Sequence, residues 1–117
     1  MVLTTYAKEL VASFLAGNAQ TRPTHIAFGT NATAPNSEDA TLTSEFNRIT
    51  LTETSLTGNE IQFTTIMTTA QGNGTTFKEL GLFNASTSGT MFTRSVFVDI
   101  DKTSSFEIQA TIILKVN

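Results

Sequence analysis

Few residues in this chain carry reactive side chains, and their types and spacing decide which chemistries stay open. His25 is the single histidine. As a general base it needs a nucleophile and an orienting carboxylate, and no local spacing supplies them. It reads as a structural or surface histidine beside Pro23. With one histidine and no cysteine, a zinc site has only carboxylates left to it, and thiol catalysis and disulfides are excluded. Carboxylates pair at Glu38-Asp39 and at Asp99-Ile100-Asp101. An Asp-x-Asp pair can ligate Ca²⁺, but the oxygen-rich loop and its glycine are missing, so Asp101 reads as a turn starter. Gly72-Asn73-Gly74-Thr75 lacks the lysine and the strand–loop–helix setting of a phosphate-binding loop. No catalytic residue, cofactor or metal is expected.

The charges point the same way. Lys8, Arg22, Arg48, Lys78, Arg94, Lys102 and Lys115 are scattered, and the net charge is −3, the opposite of a nucleic-acid-binding balance. Arg94 is set within Phe92, Val96 and Val98 on one face of an alternating segment. An arginine there needs a carboxylate partner or an interface, and Glu79 is the candidate for a structural ion pair.

The chain has 117 residues, of which 23 are Thr and nine are Phe, with no Trp and only 15% charged side chains. Thr and Phe both favour strands, so the composition predicts one compact β-rich domain over residues 1–117, polar without being highly charged. The opening Met1-Val2-Leu3-Thr4-Thr5-Tyr6-Ala7-Lys8-Glu9 has no basic n-region, and Lys8 and Glu9 break its apolar run, so a secretory leader is not expected. No apolar stretch approaches the roughly 20 residues of a membrane span. The N-x-S/T triplets at Asn31, Asn73 and Asn84 read as turns in so Thr-rich a chain.

Periodicity then gives the elements. Val2, Leu3, Tyr6, Ala7, Leu10, Val11, Phe14 and Leu15 recur at helical spacing. They predict an amphipathic helix over residues 2–17, with Thr4 or Thr5 as cap and Gly17-Asn18 as stop. Its apolar arc spans about 220°, against little more than ~100° for a helix lying on one sheet. The helix is therefore expected to be covered on two sides, by its own loops or by a partner. Leu3, Tyr6, Leu10 and Phe14 are the candidate assembly interface. After Pro23 the period becomes 2. Strands are expected at residues 24–29, 48–55, 60–70, 76–83, 90–100 and 105–116, the last the clearest. Residues 30–45 read as a long loop with a helical turn near 39–42, and 71–74 as a hairpin connection. Gly81 inside its strand marks a bulge or a close backbone approach. Six strands with no interleaved helix predict a mainly β chain, an antiparallel β-sandwich over residues 24–116 with one N-terminal helix.

Several segments together resemble a family. Phe77-Lys78-Glu79-Leu80-Gly81-Leu82-Phe83-Asn84, then Met91-Phe92-Thr93-Arg94-Ser95-Val96-Phe97 and Ile100-Asp101-Lys102-Thr103-Ser104, are similar to a run in small structural proteins of tailed bacteriophages. Ile26-Ala27-Phe28-Gly29-Thr30 with Ala34-Pro35, and Glu45 with Arg48, resemble the upstream part. The likeness runs in order over roughly residues 24–115. It implies a non-enzymatic β-sandwich built into the virion at the tail, fibre attachment, collar or baseplate, assembling with itself and with other virion proteins. A capsid-surface decoration or head-fibre role is the alternative within that class. A host-glycan-binding module is the alternative outside it, against which stand the missing Trp and the single tyrosine, Tyr6. Neither nucleic acid nor membrane is an expected partner.

Overall fold

The computed structural model describes residues 1–117. The chain is mainly β, with two antiparallel sheets and one helix near the N-terminus. In order the elements are β1 (Val2–Leu3), α1 (Thr5–Leu15), β2 (His25–Gly29), β3 (Glu45–Thr50), β4 (Glu53–Thr57), β5 (Glu60–Met67), β6 (Thr76–Phe83), β7 (Met91–Asp101) and β8 (Ile108–Lys115). The larger sheet runs β1-β7-β6-β2-β3 and the smaller one β4-β5-β8.

Four expectations are corrected. The helix is shorter than residues 2–17, because Val2 and Leu3 pair with Arg94 and Thr93 of β7 as an edge strand. Thr4 then turns the chain: its amide donates to Phe92 O, its hydroxyl donates to Met91 O at 2.6 Å, and the same oxygen caps α1 by accepting from Ala7 N. The single strand expected over residues 48–55 is two strands in different sheets. Leu51 N still donates to Thr24 O in the larger sheet, whereas Thr52 N donates to Thr64 O in the smaller one. Threonine hydroxyls bridge that corner, from Thr65 to Thr50 O and from Thr52 to Thr64 O. Residues 71–74 therefore join β5 to β6 across the sandwich, not as a hairpin. No helical turn forms at 39–42.

The core lies between the sheets, with Ile26, Phe28, Phe77 and Leu82 from the larger and Phe63, Met67, Ala110 and Ile112 from the smaller. Burying each such large side chain contributes about 1.5–3 kcal/mol. The rings of Phe28 and Phe77 meet edge to face at 5.8 Å, the geometry that their quadrupoles favour.

A second, smaller cluster of Ala27, Leu42, Phe83 and Met91 sits on the outer face of the larger sheet. This explains why β2 is buried on both faces. Its sequence alternates large and small: Ile26 and Phe28 point inward, while Ala27 and Gly29 leave room outside. Gly81 of β6, paired with Ala27 and Arg94, continues that shallow strip. A Cβ on Gly81 would lie 3.0 Å from Leu42 Cδ2, and one on Gly29 would lie 2.6 Å from Ser44 O. Gly81 is thus a close approach. The β6–β7 register shifts fall elsewhere, between Phe77 and Glu79 and between Leu82 and Phe83. The second shift sends Phe92 into the core and leaves Arg94 on the outer face, so the two do not share a face as the alternation implied.

Candidate assembly surface

Two parts of the molecule bear on function: the covered outer face around Glu79 and Arg94, and the open side around α1.

On the covered face, residues 30–44 form a strap over the larger sheet, and one buried carboxylate holds it. Glu79 is fully buried and accepts backbone N–H bonds from Asn31 (3.1 Å), Thr43 (3.0 Å) and Ser44 (2.9 Å). Arg94 Nε donates to its Oε1 at 3.1 Å, and Arg94 Nη1 donates to Asp39 Oδ2 at 3.2 Å. Four donors on one carboxylate, plus a second carboxylate on the guanidinium, meet the cost of burying these charges. Nη2 of Arg94 is buried without a partner. Asp39, from the acidic pair with Glu38, was not foreseen as a member of this network. Glu38 instead accepts from the Thr5 hydroxyl and ties the strap to the start of α1. Arg48 closes the far end: it pairs with Glu45 at 2.8 Å, donates to the carbonyls of Ala85 and Ser88, and stacks over Phe83 at 3.7 Å.

The other sequence candidates are dispersed. His25 is flanked by the hydroxyls of Thr24 and Thr50. Asp101 accepts from the Thr76 hydroxyl, and Asp99 lies 3.7 Å from Lys78 Nζ. Lys102 is buried, donating to Asn73 Oδ1 and Thr103 O, so its ammonium fastens the 71–74 turn to the end of β7. No group of three or more His, Asp or Glu residues gathers in metal-binding geometry. No helix is long and apolar enough to cross a membrane.

The open side is different in kind. With Val2 and Leu3 out of the helix, the apolar arc of α1 narrows to about 180°, still wider than one sheet needs. Only the first turns lie on the sandwich: Ala7 is buried, and Leu10 packs half-buried against the core. The C-terminal half projects, leaving Phe14 61% and Leu15 77% exposed, with Val11 exposed beside them. Gly17, at φ +98°, stops the helix as its amide and that of Asn18 return to Phe14 O and Ser13 O. Beneath the helix lies a groove of about 390 Å³ lined chiefly by Leu10, Val11, Phe14, Phe63, Leu114 and Val116. Of the four candidate interface residues, Leu3, Leu10 and Phe14 line it, and Tyr6 does not. Val11, Leu15 and Val116, exposed and apolar, were not among them. The signal for Val11 and Leu15 was present in the width of the arc, and that for Val116 in the alternation of residues 105–116.

No family model matches the chain, and no curated protein matches it.

Proposed function

We propose that this chain is a non-enzymatic structural component of a tailed-phage virion, an assembly element of the tail, fibre-attachment, collar or baseplate region. The observation that carries the proposal is the unfilled apolar groove under α1 with Val11, Phe14 and Leu15 left in solvent. Monomers rarely leave such a contiguous patch without a partner. A β-sandwich that covers one face with its own strap and leaves the side around α1 apolar suits a part added to a larger assembly. The ordered resemblance of residues 24–115 to small phage structural proteins gives that assembly its class.

Mass spectrometry of purified phage particles from a host encoding this chain tests the reading. The chain is expected at a fixed copy number per particle and is expected to be lost from particles when Phe14→Ser and Leu15→Ser are combined. Its absence from particles that carry the other structural proteins would overturn the proposal.

A further inference from the structure

The sandwich has an open seam. Strand β8 pairs only with β5 and forms one edge of the smaller sheet. Val116 N donates to Asn59 O. By the alternation of an antiparallel ladder, the amides of Ile108, Ala110, Ile112 and Leu114 also face β5, and those of Gln109, Thr111, Ile113 and Lys115 face outward. No backbone hydrogen bond outside the regular ladders reaches Gln109, Thr111 or Ile113. Natural edges are normally guarded by charge, proline, a bulge or brevity. The exposed part of β7 has Asp99, Asp101 and a register shift. Residues 108–114 of β8 have no charged residue and no proline, and the pairing with β5 runs its full length without a shift. Beside this edge, between β7 and β8, opens a second apolar cavity of about 390 Å³, lined by Phe28, Leu80, Phe97, Ile108, Ala110 and Ile112 among others.

We propose that the occupant of this edge is a second copy of the chain, with β8 pairing antiparallel to itself about a two-fold axis at Thr111. Three independent requirements meet in that register. The outward-facing amides come opposite one another: Thr111 faces its own counterpart, and Gln109 faces Ile113 of the second copy, so the pairs that can exchange N–H···O bonds are the ones aligned. The charges match: Glu107 comes opposite Lys115 of the second copy, twice per dimer by symmetry. Both side chains are exposed and neither is in an ion pair within the chain. The inward faces match as well, with Ala110 opposite Ile112, Ile108 opposite Leu114, and Phe106 opposite Val116 at the rim of the groove under α1. Moving the axis by one residue to Ile112 keeps the inward face apolar but sets Lys115 against Gln109 and Glu107 against Asn117, losing both ion pairs. The result is a continuous six-stranded sheet, β4-β5-β8 joined to its copy, whose added apolar side chains cover the open cavity. The dimer does not depend on the virion reading, and particle composition and solution mass test the two separately.

Sedimentation equilibrium of the purified chain is expected to show a dimer. Thr111→Pro removes an outward N–H, which an edge strand tolerates on its solvent side, and should give a monomer with unchanged β circular dichroism. Glu107→Lys and Lys115→Glu should each weaken dimerisation by about tenfold or more, and the double reversal should restore it. Thr111→Cys places a lone thiol from each copy at the axis. An aligned antiparallel pair there has Cα atoms about 5.5 Å apart, within disulfide reach, so mild oxidation should yield a covalent dimer whether or not the proline variant folds. A wild-type monomer at high concentration, a dimer that survives both charge reversals unchanged, or no cross-link in the Thr111→Cys variant would each overturn the proposal.

Discussion

The two faces flanking the core solve the same problem in opposite ways. The outer face of the larger sheet has apolar residues that need cover: Ala27, Phe83 and Met91. The chain covers them itself, with residues 30–44 pinned by buried Glu79 and Arg94. The side facing α1 and β8 also has apolar residues that need cover, and there the chain supplies only the first turns of a helix. The difference lies in the polar groups. A loop strapped over a sheet must find partners for its own backbone, and Glu79 takes three of those amides. Around α1 and the β8 edge the buried anchor is the uncharged Thr4 at the helix start, no buried charge recruits a covering loop, and apolar side chains stay in solvent. Cover that is part of the fold comes with buried charge; the surface we propose for assembly has none.

Breaking the strap should have the largest effect. Glu79→Ala leaves Arg94 buried with only Asp39 and strips three loop amides of their acceptor, which should cost about 3–5 kcal/mol in urea unfolding and expose residues 30–44 to limited proteolysis. Leu42→Ala, which removes the strap's one buried apolar anchor, should cost about 2–3 kcal/mol, the low end for such truncations because the loop can settle. Thr4→Ala removes both the cap of α1 and the hydroxyl bond to Met91 O. It should cost about 1–2 kcal/mol and show mainly as lost helical signal. Phe14→Ser with Leu15→Ser should change monomer stability by no more than about 0.5 kcal/mol, while removing incorporation into larger assemblies. If that pair proved as damaging as Glu79→Ala, the helix tip would be core and the contrast between the two sides would collapse.

Much of this was legible in the residues. The alternation of Phe106, Ile108, Ala110, Ile112 and Leu114 marked β8, and β6 runs over the residues its pattern indicated. Glu79 and Arg94 were a natural pair once Arg94 was seen among apolar neighbours, and they meet in the fold. The side of the sheet on which they meet was not legible, because the shift opposite Phe92 resets the alternation and periodicity carries no record of a bulge. Nor was the sheet switch at Leu51 and Thr52. A period of 2 gives a strand its faces but not its partner, and the hydrogen bonds that divide β3 from β4 come from Thr24 and Thr64, far apart in the chain. The strap does leave a trace in the sequence. In Ile26-Ala27-Phe28-Gly29 and Leu80-Gly81-Leu82, small residues alternate with large ones, the mark of a sheet covered closely on both sides.

Hydrogen exchange at low and high protein concentration tests the central contrast directly. The amides of Asn31, Thr43 and Ser44 should be protected to the same degree at both concentrations, although they lie outside any helix or strand. Those of Gln109, Thr111 and Ile113 should exchange freely in dilute solution and become protected as concentration rises. Free exchange at Thr43 and Ser44, or a β8 edge indifferent to concentration, would contradict the account.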